Sequence, residues 1–232
     1  MKLKIVVLII LFSAVKIFAT SQVADKIIIN TMKYDLINTP LEKYFDEHPE
    51  YHPLSGNKLK LFKDQNGESI IPLTSANYRG YVATFKIENN TLSLEDLEVP
   101  NPDTVGNTYI SVYQKIFGNK KITINYSGIL MIPLQVVSST IQHPSEYRYR
   151  LITVRKDHVE KEKELDQNAY KKFKARRFNE YKKTEEYKNN VEKLIKEWNI
   201  DSEKEFPFRP TQKNIDRFMR GSTLPDFIIV DY

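Results

Sequence analysis

Side chains that could do acid–base, nucleophilic or metal chemistry are sparse in this chain. There are four His and no Cys, which removes thiol nucleophiles and thiolate metal sites. His48 and His52 fall in a His-Pro-Glu-Tyr-His segment that offers two imidazoles and Glu50. A zinc-protease helix needs its two His one turn apart with Glu beside the first. Pro49 and Pro53 forbid that helix, and the segment reads as a solvated loop. His143 stands in Gln142-His143-Pro144 with Glu146 close behind, a candidate general base in a hydrolytic cleft. No Ser or Asp is tied to it by motif. A Gly-rich phosphate loop and a Gly-x-Ser-x-Gly elbow are both lacking from the sequence. No catalytic residue, metal ligand or cofactor is therefore assigned.

A second cluster is Tyr78-Arg79-Gly80-Tyr81. A Gly at a strand entry marks a bulge or a close backbone approach. An Arg between two Tyr can pair a buried carboxylate or hold a ligand's anionic group. The pattern favours the structural role, with the guanidinium fixing a strand edge. Tyr126, in a Tyr-Ser-Gly turn, joins Tyr78, Arg79, Tyr81, His143 and Glu146 as a candidate ligand-binding residue, and convergence of Tyr78, Arg79, Tyr126 and Glu146 on one concavity would make a ligand site. The run Lys171-Lys-Phe-Lys-Ala-Arg-Arg-Phe178 interleaves cations and aromatics, which suits an anionic partner such as lipid headgroups or acidic glycans. Acidic neighbours at Glu160, Glu162, Glu164, Asp166, Glu185 and Glu186 favour a solvated helix face with its aromatics turned inward.

The N-terminus gives an address. Lys2 and Lys4 precede an apolar run from Ile5 to Val15, and Ala19-Thr20-Ser21 is a small-residue cleavage pattern. This is the layout of a secretory signal peptide over residues 1–21, and the apolar run is too short to span a membrane. No Cys follows to carry a lipid, so no membrane anchor is expected once the signal is removed. Cleavage takes out Lys2, Lys4 and Lys16 and lowers the net charge from +5 to about +2. A near-neutral exported chain argues against a nucleic-acid partner, and export places it in the periplasm, at the cell surface or outside the cell. Without disulfides its stability must come from a core.

The elements that position these residues centre on 73–99. Tyr81, Ala83, Phe85 and Ile87 alternate with Val82, Thr84 and Lys86. Asn89-Asn90 is a turn pair, and Leu92, Leu94 and Leu97 carry the return strand. Upstream, Lys26–Ile29 and Met32–Ile37 read as strands around an Asn30-Thr31 turn. Leu41–Glu47 reads as a helix capped by Thr39, with Pro40 first and Glu42 completing a capping box. Strands are expected at 58–62, 69–73, 121–125, 129–134 and 147–154, and a short helix at 110–117 stopped by Gly118. Charge takes over at Lys156, and no Gly or Pro appears before Trp198. That stretch reads as one long helix or two helices broken near Thr184. Thr211 starts a last helix closed by Gly221, before an apolar strand at 227–230. The expected fold is α+β: a mostly antiparallel β-sheet domain over 22–155 with short helices, then a long charged helical extension over 156–232 ending in a short strand.

Four pieces of the chain resemble a family of exported bacterial proteins of unknown function. They are Asn38-Thr-Pro-Leu-Glu42, Ser75-Ala-Asn-Tyr-Arg-Gly-Tyr-Val-Ala-Thr-Phe85, Ser127-Gly-Ile-Leu-Met-Ile-Pro133 and Phe173…Phe178…Lys182-Lys-Thr-Glu-Glu-Tyr187. The likeness spans roughly residues 25–190. That family commonly has Trp before the Arg-Gly pair, where Tyr78 stands here. It also tends to have Gly-Tyr-Gly and Tyr-Glu near the last sheet strand, where this chain has 141–147. A ligand site shaped by that loop would be altered or lost in this chain. The resemblance implies export and assigns no activity.

Three readings follow in order. The first is a non-enzymatic envelope protein that binds a protein or glycan. The second is an inhibitor or immunity-type protein against an envelope enzyme. The third is a hydrolase of envelope material built on His143 and Glu146 or on the Arg79 cluster.

Overall fold

The structure, a computed structural model, describes residues 23–54, 76–101, 108–134, 147–201, 211–221 and 228–232. The expected signal peptide and the strands at 58–62 and 69–73 lie outside the described residues.

Three two-residue turns set the sheet. Asn30-Thr31, Asn89-Asn90 and Lys156-Asp157 all take positive φ, the backbone that a tight hairpin with right-twisted strands requires. They join β1 (Asp25–Ile29) to β2 (Met32–Leu36), β3 (Val82–Glu88) to β4 (Thr91–Pro100), and β7 (Arg148–Arg155) to β8 (His158–Asp166). β6 (Gly128–Leu134) pairs β7, and the short β5 (Tyr109–Ser111) pairs the end of β4. The order is β2-β1-β3-β4-β8-β7-β6, antiparallel except for β1 beside β3.

The central hairpin contains a bulge. Thr84 faces Asp96 but Phe85 faces Leu94, so Glu95 is an extra residue. This explains why the inward leucines step from Leu92 and Leu94 to Leu97: the alternation slips by one at the bulge and every later side chain keeps its face.

The ends of the sheet come back together. The Ile37 N–H donates to the Met131 carbonyl at 2.9 Å, and the Met131 N–H donates to Asn38 Oδ1. Met131 therefore points its backbone groups away from β7. Pro133, two residues on, points the same way, so its missing N–H costs β6 no bond to β7. That is why β6 runs through the proline instead of ending there. Inside the curled sheet, Ile27, Phe85, Leu92, Leu94, Leu97, Leu130 and Ile152 form the main core. Its floor is α1 (Leu41–Glu47) and α2 (Tyr113–Phe117), which bury Leu41, Phe45, Ile116 and Phe117.

β6 and β7 are buried on both faces. Their outer face, Ile129, Met131 and Leu151, takes Tyr170 and Phe173 of α3 (Gln167–Tyr181). A third cluster joins Phe178 and Tyr181 of α3, Tyr187 of α4 (Glu185–Asp201), Ile215 and Met219 of α5 (Gln212–Gly221), and Ile228.

Several expectations are corrected. The chain is α+β with a mostly antiparallel sheet, but the stretch after Lys156 is not one long charged helix. Residues 158–166 form β8, which pairs β7 along its length, and His158 sits on this strand. Helix begins only at Gln167, where Asp166 caps it by accepting the Ala169 N–H at 2.8 Å. Thr184 breaks and restarts the helical stretch, accepting the Tyr187 N–H. Thr39 does not cap α1 with its side chain, and Glu42 turns elsewhere. The 110–117 helix starts at Tyr113, and 121–125 contributes only a bridge, Ile122 to Leu94. Residues 228–232 form no strand and do not join the ladder.

Candidate functional site

Arg79 is placed by a turn. The Gly80 N–H donates to Asn77 Oδ1 at 3.1 Å, and Gly80 takes φ +72°. That left-handed backbone is costly for other residues, and it swings Arg79 across the start of β1. Both terminal guanidinium nitrogens donate to Asp25, each at 3.0 Å, and one also reaches the Val23 carbonyl at 3.3 Å. Asp25 is 0% exposed and accepts the Ala83 N–H as well, so one carboxylate joins β1, β3 and the turn before β3. Glu42 lies 3.9 Å from the same guanidinium and accepts the Tyr81 hydroxyl, while Arg79 stacks 4.9 Å from the Tyr81 ring centre.

Burial pushes the Asp25 carboxyl up, opposed by the charge and hydrogen bonds of Arg79. Burial would lower Arg79, but the Asp25 carboxylate outweighs it and holds the guanidinium protonated. The Tyr81 hydroxyl is pushed well above its ordinary value, by burial first and the two carboxylates next. This bidentate pair spends the fork of Arg79 on Asp25. Arg79 is a brace that locks the first parallel rung of the sheet.

Of the other candidates, Tyr81 packs against it, while Tyr78 and Tyr126 do not gather there. Tyr78 projects outward at 68% exposure. Tyr126 is buried in the main core, and its N–H donates to Asp157 Oδ1 at 2.7 Å. Asp157 also receives the Leu92 N–H on its carbonyl, which puts Tyr126 at the far end of the central hairpin, about 20 Å from Arg79 along β3. His143 and Glu146 lie outside the described residues. The basic run on α3 divides. Lys171, Lys172, Lys174 and Arg176 are exposed. Arg177 is buried, donating to the Ile228 carbonyl at 3.2 Å.

His48 and His52 are split by a 3-10 turn, Pro49–Tyr51. The Leu54 N–H donates to His52 Nδ1 at 3.1 Å, while His48 Nδ1 stands 3.6 Å from Glu50. Among the described residues no group of three His, Asp or Glu is placed to hold a metal ion.

The feature that sequence reasoning missed is aromatic. Tyr44 and His48, one helical turn apart, lie 4.8 Å apart by ring centres. Tyr51 stacks on Tyr44 at 6.1 Å and meets Phe117 at 5.3 Å, and Phe117 meets Tyr113 at 5.2 Å. Phe117 is buried, but Tyr44, Tyr51 and Tyr113 are half-buried and His48 is exposed. Burial, then the neighbouring Tyr51 and Glu50, raises the Tyr44 hydroxyl. Tyr113 also walls a shallow, open hollow of about 360 Å³ with Glu95, Gln114 and Asn119. The available signal was the i, i+4 pair Tyr44 and His48 running into Tyr51. Their contact with Phe117, more than sixty residues on, had none.

No family model matches the chain, and no curated protein or solved structure matches it. No helix among the described residues is long and apolar enough to cross a membrane.

Proposed function

We propose that this is an exported envelope protein that works by binding, with a glycan as the partner its surface suits best. The observation that carries the reading is the half-exposed aromatic patch of Tyr44, His48 and Tyr51. Through Phe117 and Tyr113 it runs into the open hollow lined by Glu95, Gln114 and Asn119. Ring faces offer apolar contact, and the carboxylate and amides beside them offer hydrogen bonds, the mixture a hydroxyl-rich ring requires. Export rests on the basic, apolar and small-residue layout of residues 1–21 and on the family likeness.

Calorimetric titration of the purified protein with soluble envelope oligosaccharides tests it. Binding that falls at least tenfold in Tyr51→Ala, with an unchanged far-UV spectrum, is expected. Retention of full affinity in Tyr51→Ala, or no binding to any oligosaccharide, would remove the support. N-terminal sequencing of the mature protein tests export, the expected start lying just after residues 19–21.

A further inference from the structure

β8 has an edge that no described strand covers. It meets β4 only at its beginning: Thr91 faces His158, the Leu92 N–H donates to the Asp157 carbonyl, and the Val159 N–H donates to the Asn90 carbonyl. The two strands are antiparallel about that rung, so β4 then runs away from β8. From Glu160 to Asp166 the far side of β8 has no strand neighbour among the described residues, although β7 pairs its near side from Lys161 on. Glu160 to Glu164 are all exposed.

The charges along this edge are sorted by face. Side chains alternate across a strand, so Glu162, Glu164 and Asp166 share one face and Lys161 and Lys163 the other. The basic face is engaged: Lys161 pairs Asp231 and lies 4.7 Å from the Tyr232 ring centre, and Lys163 donates to the Tyr232 carbonyl. The acidic face shows what complements it. In β7, Arg148 stands opposite Asp166, and Arg150 stands opposite Glu164 with a 3.2 Å ion pair.

A second copy does not fit. Two identical antiparallel strands related by a two-fold axis through the sheet set residues of the same face opposite one another. Glu would meet Glu and Lys would meet Lys, and like charges directly opposite are destabilising. The alternation is thus a guard against self-association that leaves the edge open to a complementary strand.

We infer that the open edge of β8 is a docking site for an extended segment of another protein carrying Lys or Arg at alternate positions. The segment would add a strand through main-chain hydrogen bonds and set its cations against Glu162, Glu164 and Asp166. This site is separate from the aromatic patch and does not depend on it.

The probe is a labelled seven-residue peptide of alternating Thr and Lys, titrated into the purified full chain by fluorescence anisotropy. Controls replace its Lys by Glu, or keep Lys and methylate alternate backbone nitrogens. The Lys peptide is expected to bind about tenfold more tightly than either control. It should slow amide hydrogen exchange at residues 160–166, and Glu162→Lys should weaken it about tenfold. Equal binding of the methylated peptide would reduce the effect to loose charge attraction and overturn the proposal. So would protection that falls outside β8, or a dimer of the protein alone with its β8 amides protected. The peptide comparison needs no variant, so a misfolded Glu162→Lys leaves the test intact.

Discussion

Arg79→Met separates a brace from a ligand holder. The substitution keeps much of the side chain's volume and removes the fork that holds Asp25. Asp25 is 0% exposed, and it would keep the Ala83 N–H while losing both guanidinium donors. Breaking a buried ion pair from one side costs about 3–5 kcal/mol, because an uncompensated charge stays behind. For a domain of this size that is a fall in Tm of roughly 6–20 °C, a large share of a typical total stability. Asp25→Leu with Arg79→Met together should cost less than either alone, since an apolar pair leaves no stranded charge. The assay is urea unfolding of wild type, both single variants and the double, read as a double-mutant cycle. A coupling of about 2 kcal/mol or more is expected. A loss under about 1 kcal/mol in Arg79→Met would refute the brace and return Arg79 to the set of ligand-binding groups.

Two further expectations concern the helical side of the molecule. The β7–β8 pair slips between Thr153 and Val154, and the Tyr232 hydroxyl fills the gap, accepting the Thr153 N–H at 3.1 Å and donating to the Lys161 carbonyl at 3.2 Å. Tyr232→Phe would leave the buried Thr153 N–H unsatisfied, at a cost of about 1–3 kcal/mol, with faster amide exchange at Thr153; unchanged exchange would contradict this. Burial works against ionising Asp216, but hydrogen bonds from Tyr187 and Gln212 and the charge of Lys182 hold its carboxyl below 3.8. A depressed carboxylate contributes stability above the unfolded value, and that contribution is lost as pH falls through the folded one. Wild type should therefore exceed Asp216→Asn in Tm at neutral pH, with the gap narrowing as pH falls through the lowered value; a gap constant with pH would contradict the assignment.

What the sequence made legible was local. Asn30-Thr31 and Asn89-Asn90 announced their hairpins because their backbone demands are written in the residue types. Gly118 and Thr184 marked helix ends for the same reason. β8 does not read as a strand because its Glu-Lys alternation lacks an apolar face, and a run of charges without Gly or Pro also suits a helix. The signal lay in the two-residue turn at Lys156-Asp157 and in Asp166, the true cap of α3. Glu95 looked like one charge among several, and only its pairing reveals the bulge. The pairing of Arg79 with Asp25, the seam between Asn38 and Met131, and the contact of Tyr51 with Phe117 join residues far apart in sequence. No local pattern encodes them.

The claim at the centre is that this protein acts by recognition through its aromatic patch. The most direct measurement is a resonance-by-resonance titration of the tyrosine rings with the oligosaccharide that binds most tightly. Tyr44 and Tyr51 are expected to shift first and saturate together, with the Arg79 side chain unmoved. Shifts centred on Arg79 and Tyr78, with the Tyr44 and Tyr51 rings silent, would contradict it.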